Sequence, residues 1–504
     1  MAPPWAIHLP AGLDPAEVDV VAAGSLPRSW AARWAAHPDH PTVFAEGVGW
    51  ATAAELEARS RTIAGRYASA GAWPGDRLLL SAASSLDLVV AHVAALRLGL
   101  VVVPANTSYL ERELAHLVRD AAPRIAVVDD PVRAGWVRAA ATGPLTVVDP
   151  TVDLPGPTAA AGEPALDLVG PDDPAVLAYT SGTTGAPKGA LLSHGNLLAS
   201  AEALRLAWRW SPDDRLVLPL PLFHMHGLGV GLHGTLHAGA SVVLRPGFDP
   251  ADTLAAAAAH RASLLFGVPT MWSRLVATGR AHELARLRLT VSGSAPLDPG
   301  LHGAIADATG APPIERYGMT ETVMNVSTPY DGERRAGTVG LPLPQVELHL
   351  APDTDEILLR GPNVFAGYWQ RPEATAESFV DGWFATGDVG AFDEVGNLRI
   401  VGRRKDLIIS GGYNVYPREV EDVLRTHPAV ADAAVVGLPH PDWGEQVVAV
   451  VEGATPGDEP AILALAAEQL APYKRPKQVV LVDALPRNAL GKVVKADVRA
   501  LLDG

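Results

Sequence analysis

Short apolar runs alternate with helix-length stretches through residues 75–170. Leu78-Leu79-Leu80, Val101-Val102-Val103 and Ile125-Ala126-Val127-Val128 read as short buried strands, and residues 86–98 place apolar side chains at helical spacing. That alternation predicts α/β layers with a largely parallel sheet. Residues 151–172 are rich in Pro, Gly and Ala and read as a connecting loop. The strand pattern resumes at 176–179 and again near 216–222, 242–244 and 263–268, with a helix-like stretch at 196–206. From about residue 335 the texture changes to closely spaced strands and turns, such as 356–360 and 397–401, which fits a small antiparallel β unit. A compact α+β segment follows, with helix-like 419–425 and strand-like 433–436. The expected architecture is a large N-terminal α/β domain over 1–404, carrying layered sheets and a small β-barrel-like part. A small α+β domain occupies 405–504.

Composition narrows the function classes. Over 504 residues, 48% are hydrophobic, which marks a globular chain rather than a disordered one. The net charge of −16 excludes a general nucleic-acid coat or a polybasic membrane binder. Cysteine is absent, so disulfides, thiolate nucleophiles and Cys-ligated zinc are excluded. Asp87, His92 and Arg97 interrupt the most apolar long stretch, 78–104, which therefore reads as strand–helix–strand rather than a membrane span. The first residues lack the basic and apolar segments of a signal peptide, and a cytoplasmic location is expected.

Thr180-Ser-Gly-Thr-Thr-Gly-Ala-Pro-Lys188-Gly189 follows a predicted strand. Polyphosphate binding needs close backbone approach, hydroxyl donors and a cation. The glycines, the run of Ser and Thr, and Lys188 supply these. A polar surface loop has the same composition, and no Gly-Lys-Ser/Thr closes a Walker A motif.

The full spelling, Tyr179-Thr-Ser-Gly-Thr-Thr-Gly-Ala-Pro-Lys-Gly, resembles the signature of the adenylate-forming superfamily, which includes acyl-CoA synthetases, luciferases and peptide-synthetase adenylation domains. Five further family motifs follow in order: Leu220-Pro-Leu-Phe-His224, Tyr317-Gly-Met-Thr-Glu321, Thr386-Gly-Asp388, Gly402-Arg-Arg-Lys-Asp406 and Pro486-Arg-Asn-Ala-Leu-Gly-Lys492. The resemblance spans nearly the whole chain. It implies attack of a carboxylate on the α-phosphorus of ATP, then displacement of AMP by a thiol, with ATP, Mg2+ and CoA as cofactor and co-substrates.

Residue by residue, the resemblance gives ATP or AMP contacts to Thr180, Ser181, Gly182, Thr183, Thr184, Gly185 and Lys188, and to Ser294, Ala295, Pro296, Arg316, Tyr317, Gly318 and Met319. Asp388 and Arg403 are expected at the ribose or phosphates, Glu321 at Mg2+, and Thr320 at the α-phosphate. Lys492 is the expected catalytic ammonium, carried by a mobile C-terminal domain that hinges at Lys405. Ser410, Gly411 and Gly412 would line a CoA tunnel. Taken singly, each has an ordinary reading: Thr-Glu is a helix cap, Gly-Gly a turn, a loop lysine a solvated cation.

His224 is expected at the acyl pocket. In a strand, His224 and His226 would face the same way, as a metal pair requires, but no third ligand is evident. Arg274 is expected in the first turn of a helix after a strand, where a buried guanidinium would bind a distal carboxylate. Phe223-His-Met-His-Gly-Leu228, Pro269-Thr-Met-Trp-Ser-Arg274, Val291-Ser-Gly-Ser-Ala-Pro296 and residues 315–325 resemble the malonyl-CoA synthetase branch. That likeness implies malonate or methylmalonate as substrate, with a short or medium monocarboxylate as the alternative. A carrier-loading adenylation unit and an inactive nucleotide-binding regulator remain further readings. Only small-molecule partners are expected, with neither nucleic acid nor membrane among them.

Overall fold

The computed structural model describes residues 2–151, 164–180, 187–410, 413–488 and 491–502. The chain forms two compact units, Met1–Leu348 with Leu359–Phe384, and His349–Leu358 with Ala385–Gly504.

The first unit contains a nine-stranded and a seven-stranded sheet. In the larger one, Pro41–Ala45, Ser241–Leu244, Arg215–Leu218, Leu264–Gly267, Leu289–Ser292 and Ile314–Tyr317 follow one another as parallel neighbours. In the smaller one, Pro174–Thr180, Val101–Pro104, Arg77–Ser81, Ile125–Val128 and Thr146–Val148 are also parallel neighbours. The sequence shows continuous apolar runs in most of these strands because both sheet faces are covered; Leu78, Leu79, Val102, Val103 and Val127 are completely buried.

The helix Leu86–Leu98 is buried at every residue except Asp87, so it carries no amphipathic stripe. Ser85 accepts from the Leu88 backbone N–H at its start, and Gly99, at φ +86°, ends it in the left-handed conformation. Its buried polar residues find partners, although His92 Nδ1 has none among the described residues. His92 Nε2 meets His233 Nε2 at 2.8 Å, and Arg97 pairs with Asp167 at 2.9 Å and Glu57 at 3.0 Å.

In the second unit, Gly444–Glu452 pairs antiparallel with Asp432–His440 and parallel with Gln478–Val482. Alternation along the strand divides the core: Val447, Ala449 and Val451 pack with Val420, Leu424, Ile462 and Ala466, whereas Val448 and Val450 pack with Leu485 and Val498. Helices Pro417–Leu424 and Glu459–Gln469 therefore cover one face, and Lys495–Ala500 the other. A second antiparallel pairing runs from Asp388↔Arg403 to Phe392↔Leu398. No described helix is long and apolar enough to cross a membrane.

Candidate active site

The candidate phosphate-loop motif lies between two antiparallel strands, Pro174–Thr180 and Lys188–Ser193, with Thr180 directly opposite Lys188. Ser181, Gly182, Thr183, Thr184 and Gly185 lie outside the described residues. The helix His194–Ala207 begins only after the second strand, not at Lys188. Gly189 leaves room for the Leu177 side chain, since a Cβ there would lie 2.6 Å from Leu177 Cδ1.

The return strand also pairs with the short strand Gly367–Tyr368, placing Tyr368 opposite Ala190. The Tyr368 ring lies 5.3 Å from Lys188 Nζ, and its hydroxyl donates to Glu321 Oε1 at 2.9 Å. Glu321 is 6% exposed, and its carbonyl accepts from Phe365 N at 2.9 Å. Burial, followed by the Glu321 charge, raises the Tyr368 pKa above its ordinary value. A cation and a hard-oxygen carboxylate thus meet around one phenol at the root of the loop. No motif singled out Tyr368, because a two-residue strand leaves no periodicity to read; its place in Phe365-Ala-Gly-Tyr-Trp369 was the only available signal.

Tyr317 ends the strand Ile314–Tyr317 and is buried, while Met319 and Thr320 form part of the turn that closes Thr322 N onto Met319 O at 3.2 Å. Gly318 is required there: a Cβ would lie 2.2 Å from Val323 O. Ser294, at φ +69°, follows the neighbouring strand and leads into half-buried Ala295 and exposed Pro296. Its hydroxyl is 3.2 Å from His226 Nδ1 and accepts from Arg316 Nη2 at 3.3 Å. Arg316 is 6% exposed.

The acyl-site expectations need correction. His224 lies in a turn and His226 opens a π-helix, His226–Leu232, so they do not share one face of a strand. Instead, His224 Nδ1 accepts from the His226 backbone N–H at 3.3 Å. Arg274 is exposed near the end of the helix Pro269–Ala277, not buried in its first turn, and its guanidinium lies 5.0 Å from the Phe248 ring. The helix begins one turn earlier than Arg274 requires because Pro269 at its first position fixes the start.

In the second unit, Asp388 is 7% exposed and pairs with Arg403 Nε at 3.2 Å, across the strand register that sets them opposite one another. Thr386 Oγ1 accepts from Asp388 N, while Glu356 accepts from Gly387 N and Arg404. Gly387 lies within the strand Trp383–Phe392 rather than in a turn, and its φ of +73° is a conformation that glycine adopts without strain. Lys405 is exposed in the short turn Arg404–Asp406. Ser410 is buried at a strand end, and Gly411 and Gly412 lie outside the described residues. Lys492 is half-buried and tied to Asn488: Lys492 N donates to Asn488 Oδ1 at 3.0 Å, and Asn488 N to Lys492 O at 2.9 Å.

The AMP-binding enzyme family matches residues 30–369, and the AMP-binding enzyme C-terminal domain matches 419–492. A feruloyl-CoA synthase from Amycolatopsis sp is 38% identical over 94% of this chain and 98% of its own length. A malonate–CoA ligase from Arabidopsis thaliana is 33% identical over 87% of this chain and 80% of its own. The ATP-bound crystal structure of MatB from Rhodopseudomonas palustris is 39% identical over 95% of this chain and 99% of that one, with a TM-score of 0.87. With both family models matched in order along one α/β chain, this protein belongs to the AMP-binding enzyme family, among its acyl-CoA ligases.

Proposed function

We propose that this ligase activates a short dicarboxylic acid, malonate or methylmalonate, with ATP and transfers the acyl group to CoA, releasing pyrophosphate and AMP. The observation that carries the adenylation step is the meeting of Lys188 and Glu321 around Tyr368. An anionic carboxylate must approach a polyanionic nucleotide, so the work of the site is positioning and charge neutralisation. Lys188 supplies positive charge beside the phosphates. Glu321 is a buried hard-oxygen donor suited to Mg2+, which supplies further neutralisation when bound.

In this reading Thr320 hydrogen-bonds the α-phosphate, and Tyr317 with Ser294, Ala295 and Pro296 flanks the adenine. Asp388 and Arg403 hold the ribose, and His224 borders the acyl group. The ammonium of Lys492 neutralises the reacting carboxylate and α-phosphate oxygens. Rotation about Lys405 then exchanges Lys492 for the CoA-binding segment Ser410, Gly411 and Gly412. The local resemblance of four segments to malonyl-CoA synthetases, together with the Arabidopsis malonate–CoA ligase, supports the choice of acid.

A second reading, a monocarboxylate ligase, is favoured by the feruloyl-CoA synthase likeness. Pyrophosphate release from C2–C12 monoacids, ferulate, malonate, methylmalonate and succinate separates the two. Malonate or methylmalonate should exceed every monoacid by about tenfold or more in kcat/KM. The reverse order overturns the dicarboxylate reading.

A further inference from the structure

We infer that Arg487 is a positioning residue for the reaction, a charged tether that holds the backbone on either side of Lys492; the inference rests on the role given to Lys492 above. The Arg487 backbone pairs antiparallel with Val493. Its side chain reaches the other neighbour, Nη1 donating to Gly491 O at 3.2 Å. One residue therefore grips position 491 through its guanidinium and position 493 through its main chain, and Lys492 lies between them.

The tether is anchored in the sheet of the second unit. Arg487 Nη2 lies 2.6 Å from Asp432 Oδ2 and 3.3 Å from Glu452 Oε2. Asp432 begins the strand Asp432–His440, Glu452 ends the strand Gly444–Glu452, and the antiparallel register sets the two opposite one another. Each carboxylate has a further partner that fixes it. Arg425 Nε donates to Asp432 Oδ1 at 2.8 Å, and Leu485 N donates to Glu452 Oε2 at 2.9 Å. The fork is thus seated on paired strand ends.

A planar guanidinium can serve two carboxylates and a carbonyl at once, because its donors point along fixed and different directions. The side chains of Arg487, Asp432 and Glu452 are 31%, 20% and 26% exposed, so water screens the pairs and they add little stability. What they supply is geometry. The Gly491 carbonyl belongs to the planar peptide that also carries the Lys492 N–H, so a restraint on that oxygen orients the lysine backbone directly. Gly491, at φ +75°, has no side chain with which to hold itself. A reacting ammonium needs such a restraint, since a displacement of about 1 Å in a catalytic group costs about 100-fold in rate.

The test compares the full-length wild type, Arg487→Met, Arg487→Lys and Lys492→Ala in two half-reactions, using the acid of the panel above that the wild type turns over fastest. One is acid-dependent ATP–pyrophosphate exchange; the other is thioester formation from the synthetic acyl-adenylate and CoA. Arg487→Met should lower kcat for exchange by about 10–100-fold, while the KM values for ATP and acid stay within about twofold. Thioester formation should stay within about twofold of wild type, a split that general loss of folding would not give. Arg487→Lys should recover part of the loss, because its ammonium keeps an ion pair without also holding Gly491. Equal losses in both half-reactions, or a rise in KM with kcat unchanged, would overturn the inference. If Arg487→Met fails to fold, the split is read in Arg487→Lys, and its absence there has the same consequence. Undiminished exchange in Lys492→Ala removes the role of Lys492 and the inference with it. Loss of exchange in Lys492→Ala beside an unaffected Arg487→Met removes only the role of Arg487.

Discussion

The hydroxyl of Tyr368 donates to Glu321 at 2.9 Å from a strand that is itself paired to the strand beginning with Lys188. The backbone register of a two-residue strand thereby fixes a carboxylate and an ammonium around one aromatic ring. Tyr368→Phe keeps the ring beside Lys188 and removes only the hydrogen bond to Glu321. A hydrogen bond to a charged group is worth roughly 1.5–3 kcal/mol, so ATP–pyrophosphate exchange should fall about 10–100-fold. The Mg2+ concentration needed for half-maximal exchange should rise with it. Exchange and Mg2+ dependence equal to wild type would leave Tyr368 as packing alone.

In the proposed function, Lys492 should separate the two half-reactions. Lys492→Ala should lose acid-dependent exchange, because in the proposed reading its ammonium is the charge placed between the reacting carboxylate and the α-phosphate. The same variant should still form thioester from a synthetic acyl-adenylate and CoA. Comparable loss in both assays would remove the lysine from its assigned role. The hydrogen bonds of the Lys492 backbone to Asn488 are left intact by the substitution.

Asp388 is buried, whereas Arg403, its partner at 3.2 Å, is exposed. Asp388→Asn should therefore act on nucleotide affinity more than on folding, since an ion pair with one exposed member adds little stability. The KM for ATP should rise about tenfold or more, while the KM for the acid changes little. A matching rise in the acid KM would move Asp388 away from the nucleotide.

The strands and helices of the parallel layers were legible because continuous burial imposes an apolar run on each strand, and the predicted helix 86–98 matches the observed Leu86–Leu98 exactly in extent. Polar residues within apolar elements were legible only as exceptions: His92 and Arg97 excluded a membrane span, but their partners His233 and Asp167 lie far off in sequence. Candidate site residues could be named from sequence where motifs are written contiguously, as in residues 179–189 and 317–321. They could not be named where long-range pairing makes the site, as at Tyr368, and where a side chain's burial decides its role. Arg274 and Arg316 are both arginines close to strand ends; the sequence offers no means of knowing that one is exposed and the other buried.

The buried histidines make stability depend on mild acid. Burial lowers the pKa of His8 and of His194 to about 4, and that of His92 to about 3, from 6.5. Because the folded pKa is depressed, the unfolded chain binds the extra protons once the pH drops below about 6.5. Stability is then fully present above that value and declines as pH falls toward 4. Each histidine contributes a loss of about 2 kcal/mol between pH 7 and 5, before the paired carboxylates begin to titrate. Neither ring nitrogen of His194 has a hydrogen-bond partner among the described residues. His194→Leu therefore sacrifices no such bond, and should reduce the pH 7-to-5 loss in denaturant unfolding by about 2 kcal/mol while leaving the value at pH 7.5 nearly unchanged. An identical slope in the variant would show that His194 charges as readily in the folded protein as in the unfolded chain.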